Sequence, residues 1–197
     1  MTDTQSADAA FKAATAAHVA GRPDEAHALY KQALAARPDD PAILNQLAQL
    51  ELGRGHVQAA VDLIEHSLAV APHLPGTHMV MARILRLAGQ NEDALEYSAK
   101  AASLAPDQPG AQVAYADALA AVGRNEEAEA VLNETLRVAP SAVKALVRLG
   151  DLLLATNRPK EALARYDAAF GLAPLTPGLT EARQAALDAM DGSAAIS

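Results

Sequence analysis

The sequence predicts an all-α fold, a solenoid of five helix-turn-helix repeats closed by a C-terminal capping helix, and three observations predict it. Pro38, Pro72, Pro106, Pro140 and Pro174 stand 34 residues apart without exception, a fixed period of the length that stacked helical hairpins have. Seventeen residues before each of them comes Gly21, Gly55, Gly89, Gly123 or Asn157, the residue types that most readily take the left-handed conformation ending a helix. The composition is 51% hydrophobic but only 3% aromatic, with no Trp and with alanine as the commonest residue, a balance that favours closely packed helices over sheets.

The first repeat, 7–40, carries Ala10, Ala13, Ala14 and Ala17 on its first helix, so its core is expected to be light. Gly21 turns the chain, Pro23 opens the second helix where a missing N–H costs nothing, and Asp24 and Glu25 occupy the first turn that the helix dipole favours for acids. The second repeat, 41–74, opens on Pro41, turns at Gly55 and stops at Pro72. The third, 75–108, opens on Pro75 and turns at Gly89, and Asn91 is expected to cap its second helix ahead of Glu92 and Asp93. The fourth, 109–142, repeats that scheme with Pro109, Gly123, Asn125, Glu126 and Glu127. The fifth, 143–176, turns at Asn157, reopens on Pro159 and stops at Pro174. Throughout, the small residues Ala14, Ala48, Ala82, Ala116 and Gly150 of first helices face Ala26, Ala60, Ala94, Ala128 and Ala162 of second helices, so paired backbones can approach closely. Beyond Pro174 a sixth repeat would put Thr180, Arg183 and Gln184 where core residues belong. Pro177 is therefore expected to open a single capping helix over 177–190, with Leu179, Ala182, Ala186, Leu187 and Met190 against the last hairpin. Residues 1–6 and 191–197 are expected to be flexible ends.

A 34-residue unit with small residues at its eighth and twentieth positions, glycine at its fifteenth and proline near its end resembles the tetratricopeptide repeat, here over residues 7–176. The resemblance implies a right-handed α-solenoid whose first helices line a concave face. It also implies a non-catalytic protein–protein interaction scaffold or adaptor that receives a peptide or partner helix on that face. The chain departs from the family early in each first helix, where a large aromatic is usual and Ala10, Leu44, His78, Gln112 and Leu146 stand instead. It departs as well from the family's carboxylate clamp for chaperone tails. Phe11 and Thr15 occupy the places of its first Lys and Asn, and only Lys144 and Arg148 resemble its last pair, so chaperone-tail binding is not expected.

Helical spacing turns the fifth, ninth and twelfth positions of the first helices toward the groove. In the first three repeats these include Phe11, Asn45, Gln49, Met79, Arg83 and Arg86. In the last two they include Val113, Asp117, Val147 and Asp151, with Arg148 at the edge. The face combines amides able to bond a peptide backbone, an apolar patch of Met79, Val113 and Val147, and the cations Arg83, Arg86 and Arg148 on an otherwise acidic protein. A protein or peptide partner with an acidic or carboxylate-bearing segment is the resulting hypothesis. The alternatives are a self-associating structural scaffold, a homo-oligomer built through the lightly packed first hairpin or the solenoid ends, and a regulatory module of a larger enzyme or of a secretion or pilus-type assembly.

Other classes of function find little support. Lys and Arg total 16 against 24 Asp and Glu, a net charge of −8 that repels nucleic acid and anionic membranes alike. No apolar run approaches the length of a spanning helix, and the N-terminus has neither the basic nor the apolar region of a secretory signal, so a cytoplasmic location is expected. With no cysteine there is no disulfide framework and no thiolate metal site. His18, His27, His56, His66, His73 and His78 lack metal-ligand spacing, and no cofactor is expected. The acidic pairs recur at helix starts, where the dipole explains them, and no nucleophile elbow, Walker loop or dinucleotide fingerprint occurs, so no enzyme is expected. The P-x-x-P pairs all fall at joints between repeats, and the sequon at Asn133 lies within a proposed helix.

Overall fold

The computed structural model describes residues 3–194, and the side chains of residues 5–191. Among the described residues there are eleven helices and no strand: α1 (Asp3–Val19), α2 (Pro23–Ala36), α3 (Pro41–Gly53), α4 (Val57–Val70), α5 (Pro75–Leu87), α6 (Asn91–Leu104), α7 (Pro109–Ala121), α8 (Asn125–Val138), α9 (Val143–Ala155), α10 (Pro159–Leu172) and α11 (Leu179–Ala194). Each repeat is a packed pair of consecutive helices.

The turns inside the pairs form where the sequence places them. Gly21, Gly55, Gly89 and Gly123 have φ between 70° and 82°, and Asn157, at 60°, is the only non-glycine residue with positive φ among the described residues. The reversal lets the next amide fold back onto a carbonyl five residues earlier, as from His56 N–H to Glu51 C=O (2.9 Å) and from Arg158 N–H to Leu153 C=O (2.8 Å). These bonds satisfy carbonyls that the helix end leaves free. Pro23, Pro41, Pro75, Pro109 and Pro159 all sit in first turns. Asp40, ahead of Pro41, adds a cap not anticipated from the sequence, its carboxylate accepting from the amides of Ala42 (2.9 Å) and Ile43 (3.3 Å).

Several local expectations change. Asn125 is the first residue inside α8 and not its cap; Arg124 holds the cap position without a side-chain bond to the backbone and reaches Glu127 instead, at 2.6 Å. Asn91 likewise begins α6 itself. Pro177 does not open the last helix. It forms a turn with Gly178 (φ 75°), and α11 starts at Leu179 and runs to Ala194, four residues past the expected end. At the other end α1 already begins at Asp3, within the six residues expected to be loose; residues 1–2 and 195–197 lie outside the described residues.

The contacts group the chain into two compact units, residues 1–104 and 105–197, where the sequence reads as one five-repeat array. The first unit contains three hairpins. Ala14, Ala17, Ala26 and Tyr30 of the first hairpin meet Leu47 and Leu50 of the second in one core cluster. Ala48, Leu52, Ala60 and Ile64 meet Val80, Met81 and Ile84 in the next. Tyr30 compensates for the light alanine face, its ring packing 5.9 Å from that of Phe11. Between the first two hairpins lies an unusual polar joint. Glu51, only 5% exposed, hydrogen-bonds His56 Nδ1 through Oε2 (2.6 Å), while His27 Nε2 of α2 approaches Oε1 at 3.2 Å. His78 is also buried, donating Nε2–H to the carbonyl of Pro72 (2.8 Å).

The second unit contains two hairpins and α11. Leu119, Leu132, Leu149, Leu153 and Tyr166 are its largest buried side chains, together with Leu179 of α11. Leu179 and Ala186 are buried, and Arg183 lies 4.6 Å over the Phe170 ring while its Nε bonds Asp167 (2.7 Å), so α11 is fastened to α10 by polar as well as apolar contacts. Leu187, expected on the covering face, is exposed. Arg183 lies against Phe170 and Asp167 of α10 instead.

Candidate partner-binding face

Within the first unit α1 contacts α3 and α3 contacts α5, which brings the outer faces of the three first helices side by side. Phe11 is half-buried because Tyr30 supports its ring. Asn45 ties two repeats together, donating Nδ2–H to Thr77 Oγ1 (2.8 Å), and that hydroxyl lies 3.1 Å from Ser67 Oγ. Its amide is therefore partly committed to the fold. Gln49 and Met79 are half-exposed, and Arg83 and Arg86 are exposed.

The arginines of the sequence separate sharply by their partners. Eight of the eleven lie within ion-pair distance of a carboxylate. Arg165 lies within electrostatic reach of Glu161. Arg83 and Arg86 have no carboxylate partner among the described residues. Partial burial, and then the like charge of Arg86, lower the Arg83 pKa below its ordinary value.

The second unit differs. α7 contacts α9, and Arg148 on α9 is held by Asp117 (3.3 Å from Nε) and Asp151 (3.1 Å from Nη1). Asp151 in turn accepts the Tyr166 hydroxyl at 2.8 Å. Burial, followed by the hydrogen bond to Asp151 and that group's charge, raises the Tyr166 pKa. The three residues expected to present charge to a partner thus neutralise one another in part, and Arg148 is not a spare cation. Val113 is 1% exposed and offers no surface for contact. The alanine-rich α7 lets neighbouring helices come close, and a short branched side chain there sinks below the surface. Val147 remains half-buried.

Sequence reasoning missed Leu87, which is 62% exposed and follows Arg86 directly. Its position on the twelfth-to-thirteenth boundary of the repeat put it just outside the spacing used to select the face. It also missed that Thr77 would engage Asn45 and Tyr166 would engage Asp151, because each bond joins two different helices and helical spacing within one helix does not reveal it.

No helix among the described residues is long and apolar enough to cross a membrane. No curated protein matches the chain. Solved structures do. The chain is similar to the thermophilic TPR protein TTC0263 of Thermus thermophilus, with 26% identity and a TM-score of 0.82 over 92% of this chain and 98% of that one. It is similar in fold to yeast Tom70, with 18% identity and a TM-score of 0.78, covering 97% of this chain and 41% of that one. It is also similar in fold to YrrB, described as a TPR protein with an unusual peptide-binding site, with 18% identity and a TM-score of 0.61, covering 89% and 90%. The sequence pattern of the tetratricopeptide repeat matches residues 17–84 and 85–147. Paired helices, left-handed turns at a fixed period and this match over most of the chain establish that the protein belongs to the tetratricopeptide repeat family.

Proposed function

We propose that the protein is a non-catalytic interaction scaffold that receives a peptide or partner segment on the outer faces of its first helices, and that the partner bears carboxylates. The observation that carries the reading is the pair Arg83 and Arg86, exposed on a first helix and without a carboxylate partner among the described residues, in a protein of net charge −8. Family membership supports a protein partner, and the half-exposed Phe11, Gln49 and Met79 supply contact area beside the cations. Capture from the native extract tests it: wild type should retain a stoichiometric partner that an Arg83→Glu/Arg86→Glu variant releases. Equal retention by both would remove these arginines from the interface.

A second reading, self-association, is favoured by one feature of the first hairpin. Val19 is 86% exposed at the end of α1, beside a shallow depression lined by Phe11, Thr15 and Ala16. Light scattering on the purified chain separates the two, since self-association makes the mass grow with concentration.

A further inference from the structure

On a helix, residues 79, 83, 86 and 87 project within roughly 100° of one another. Met79, Arg83, Arg86 and Leu87 of α5 therefore share one face, with two guanidinium groups flanked by two apolar side chains. Arg83 and Arg86 stand one turn apart, where like charges destabilise a helix. No carboxylate of the described residues relieves them, although acids outnumber bases 24 to 16 in this chain. The only other arginine singled out for the partner face, Arg148, is held by Asp117 and Asp151. Among the arginines singled out for the partner face, only the pair on α5 is left for an anion arriving from outside.

We propose that this face of α5 docks an acidic and apolar segment of a partner protein, its carboxylates on Arg83 and Arg86 and an apolar side chain across Met79 and Leu87. The inference rests on the scaffold reading above and narrows it to one helix and one ligand chemistry. Two planar guanidinium forks each present paired N–H donors to a carboxylate, which an ammonium group cannot reproduce. Covering the pair with anions removes the repulsion between Arg83 and Arg86, so binding and helix stability are linked. The apolar flanks keep part of the affinity when salt screens the charges.

Fluorescence anisotropy on the full chain tests this with a short labelled peptide of alternating Glu-Glu-Leu triplets and its Gln-for-Glu analogue. The Glu peptide should bind, and raising salt from about 50 to about 500 mM should weaken it by about tenfold. Arg83→Gln/Arg86→Gln should weaken it by about tenfold or more with the helical circular dichroism signal and melting temperature retained. Arg83→Lys/Arg86→Lys should fall between, Leu87→Ser should cost a few-fold, and Arg148→Gln should bind as wild type. Equal affinity for the Glu and Gln peptides, an unaffected Arg83→Gln/Arg86→Gln variant, or no binding of the Glu peptide by wild type would each overturn the proposal. A native partner captured equally by wild type and by Arg83→Gln/Arg86→Gln would overturn it too, together with the arginine contact of the reading above, while leaving a non-catalytic scaffold that binds its partner elsewhere.

Discussion

At Gly150 an added Cβ would lie 2.5 Å from Cε1 of Tyr166, inside any van der Waals contact. The ring cannot swing away freely, because it is buried and its hydroxyl is bonded to Asp151. Gly150→Ala should therefore destabilise the protein by about 1–3 kcal/mol in thermal or denaturant unfolding. The effect should shrink when Tyr166 is also shortened, a coupling that a double-mutant cycle measures. The same two repeat positions in the first hairpin hold Ala14 and Tyr30, and there the hydroxyl reaches Thr15 only at 3.4 Å. The glycine and the stronger bond thus occur together. Tyr166 also makes a pH prediction with a definite sign. Its pKa is higher folded than unfolded, so its contribution to stability is complete below about pH 10 and is lost as pH rises through the folded value. The melting temperature of wild type should fall more steeply above about pH 10 than that of Tyr166→Phe.

Among the elements, the hairpins were legible because their signals are local: a residue that tolerates positive φ, a proline at a helix start, a period of 34. The joint at Glu51 was not, because its burial depends on α2, which brings His27 to it from the preceding repeat, and the nearby Arg54 and His56 do not by themselves announce a buried acid. Glu51→Leu should leave the melting temperature unchanged or raise it, since a well-packed apolar residue commonly matches a buried ion pair. His27→Ala/His56→Ala should instead lower stability by about 1–3 kcal/mol, because the buried carboxylate then loses its nearest donors. Helix ends were the least legible detail, as Asn125 and Pro177 illustrate: a good cap residue and a good first-turn residue are each compatible with several adjacent positions. For the residues that spacing selects as a partner face, exposure and charge were not legible: burial of Val113 and neutralisation of Arg148 depend on what other helices bring to meet them.

For the molecule as a whole, a terminal helix matters because a stack of hairpins ends in an apolar surface. Removing residues 179–194 uncovers the side of α10 against which Leu179 and Ala186 are buried and frees Phe170 from Arg183. Loss of Leu179 burial alone is worth about 1.5–3 kcal/mol, so the truncated protein should melt earlier and bind a hydrophobic dye such as ANS, whereas an unchanged melt would make α11 an appendage. The Glu51 joint bears on how such a chain can change over generations. Its carboxylate occupies the repeat position held elsewhere by Ala17, Leu85, Leu119 and Leu153, and the preceding repeat supplies His27 where the later ones have Val61, Leu95, Glu129 and Leu163. A copy of the second hairpin inserted further along would set a buried acid against an aliphatic side chain or another acid. The copy would keep His56 and Arg54 but lose His27, so duplication and shuffling, the easy routes by which repeat arrays lengthen, carry a cost at this link that is smallest when the first two hairpins move as a pair.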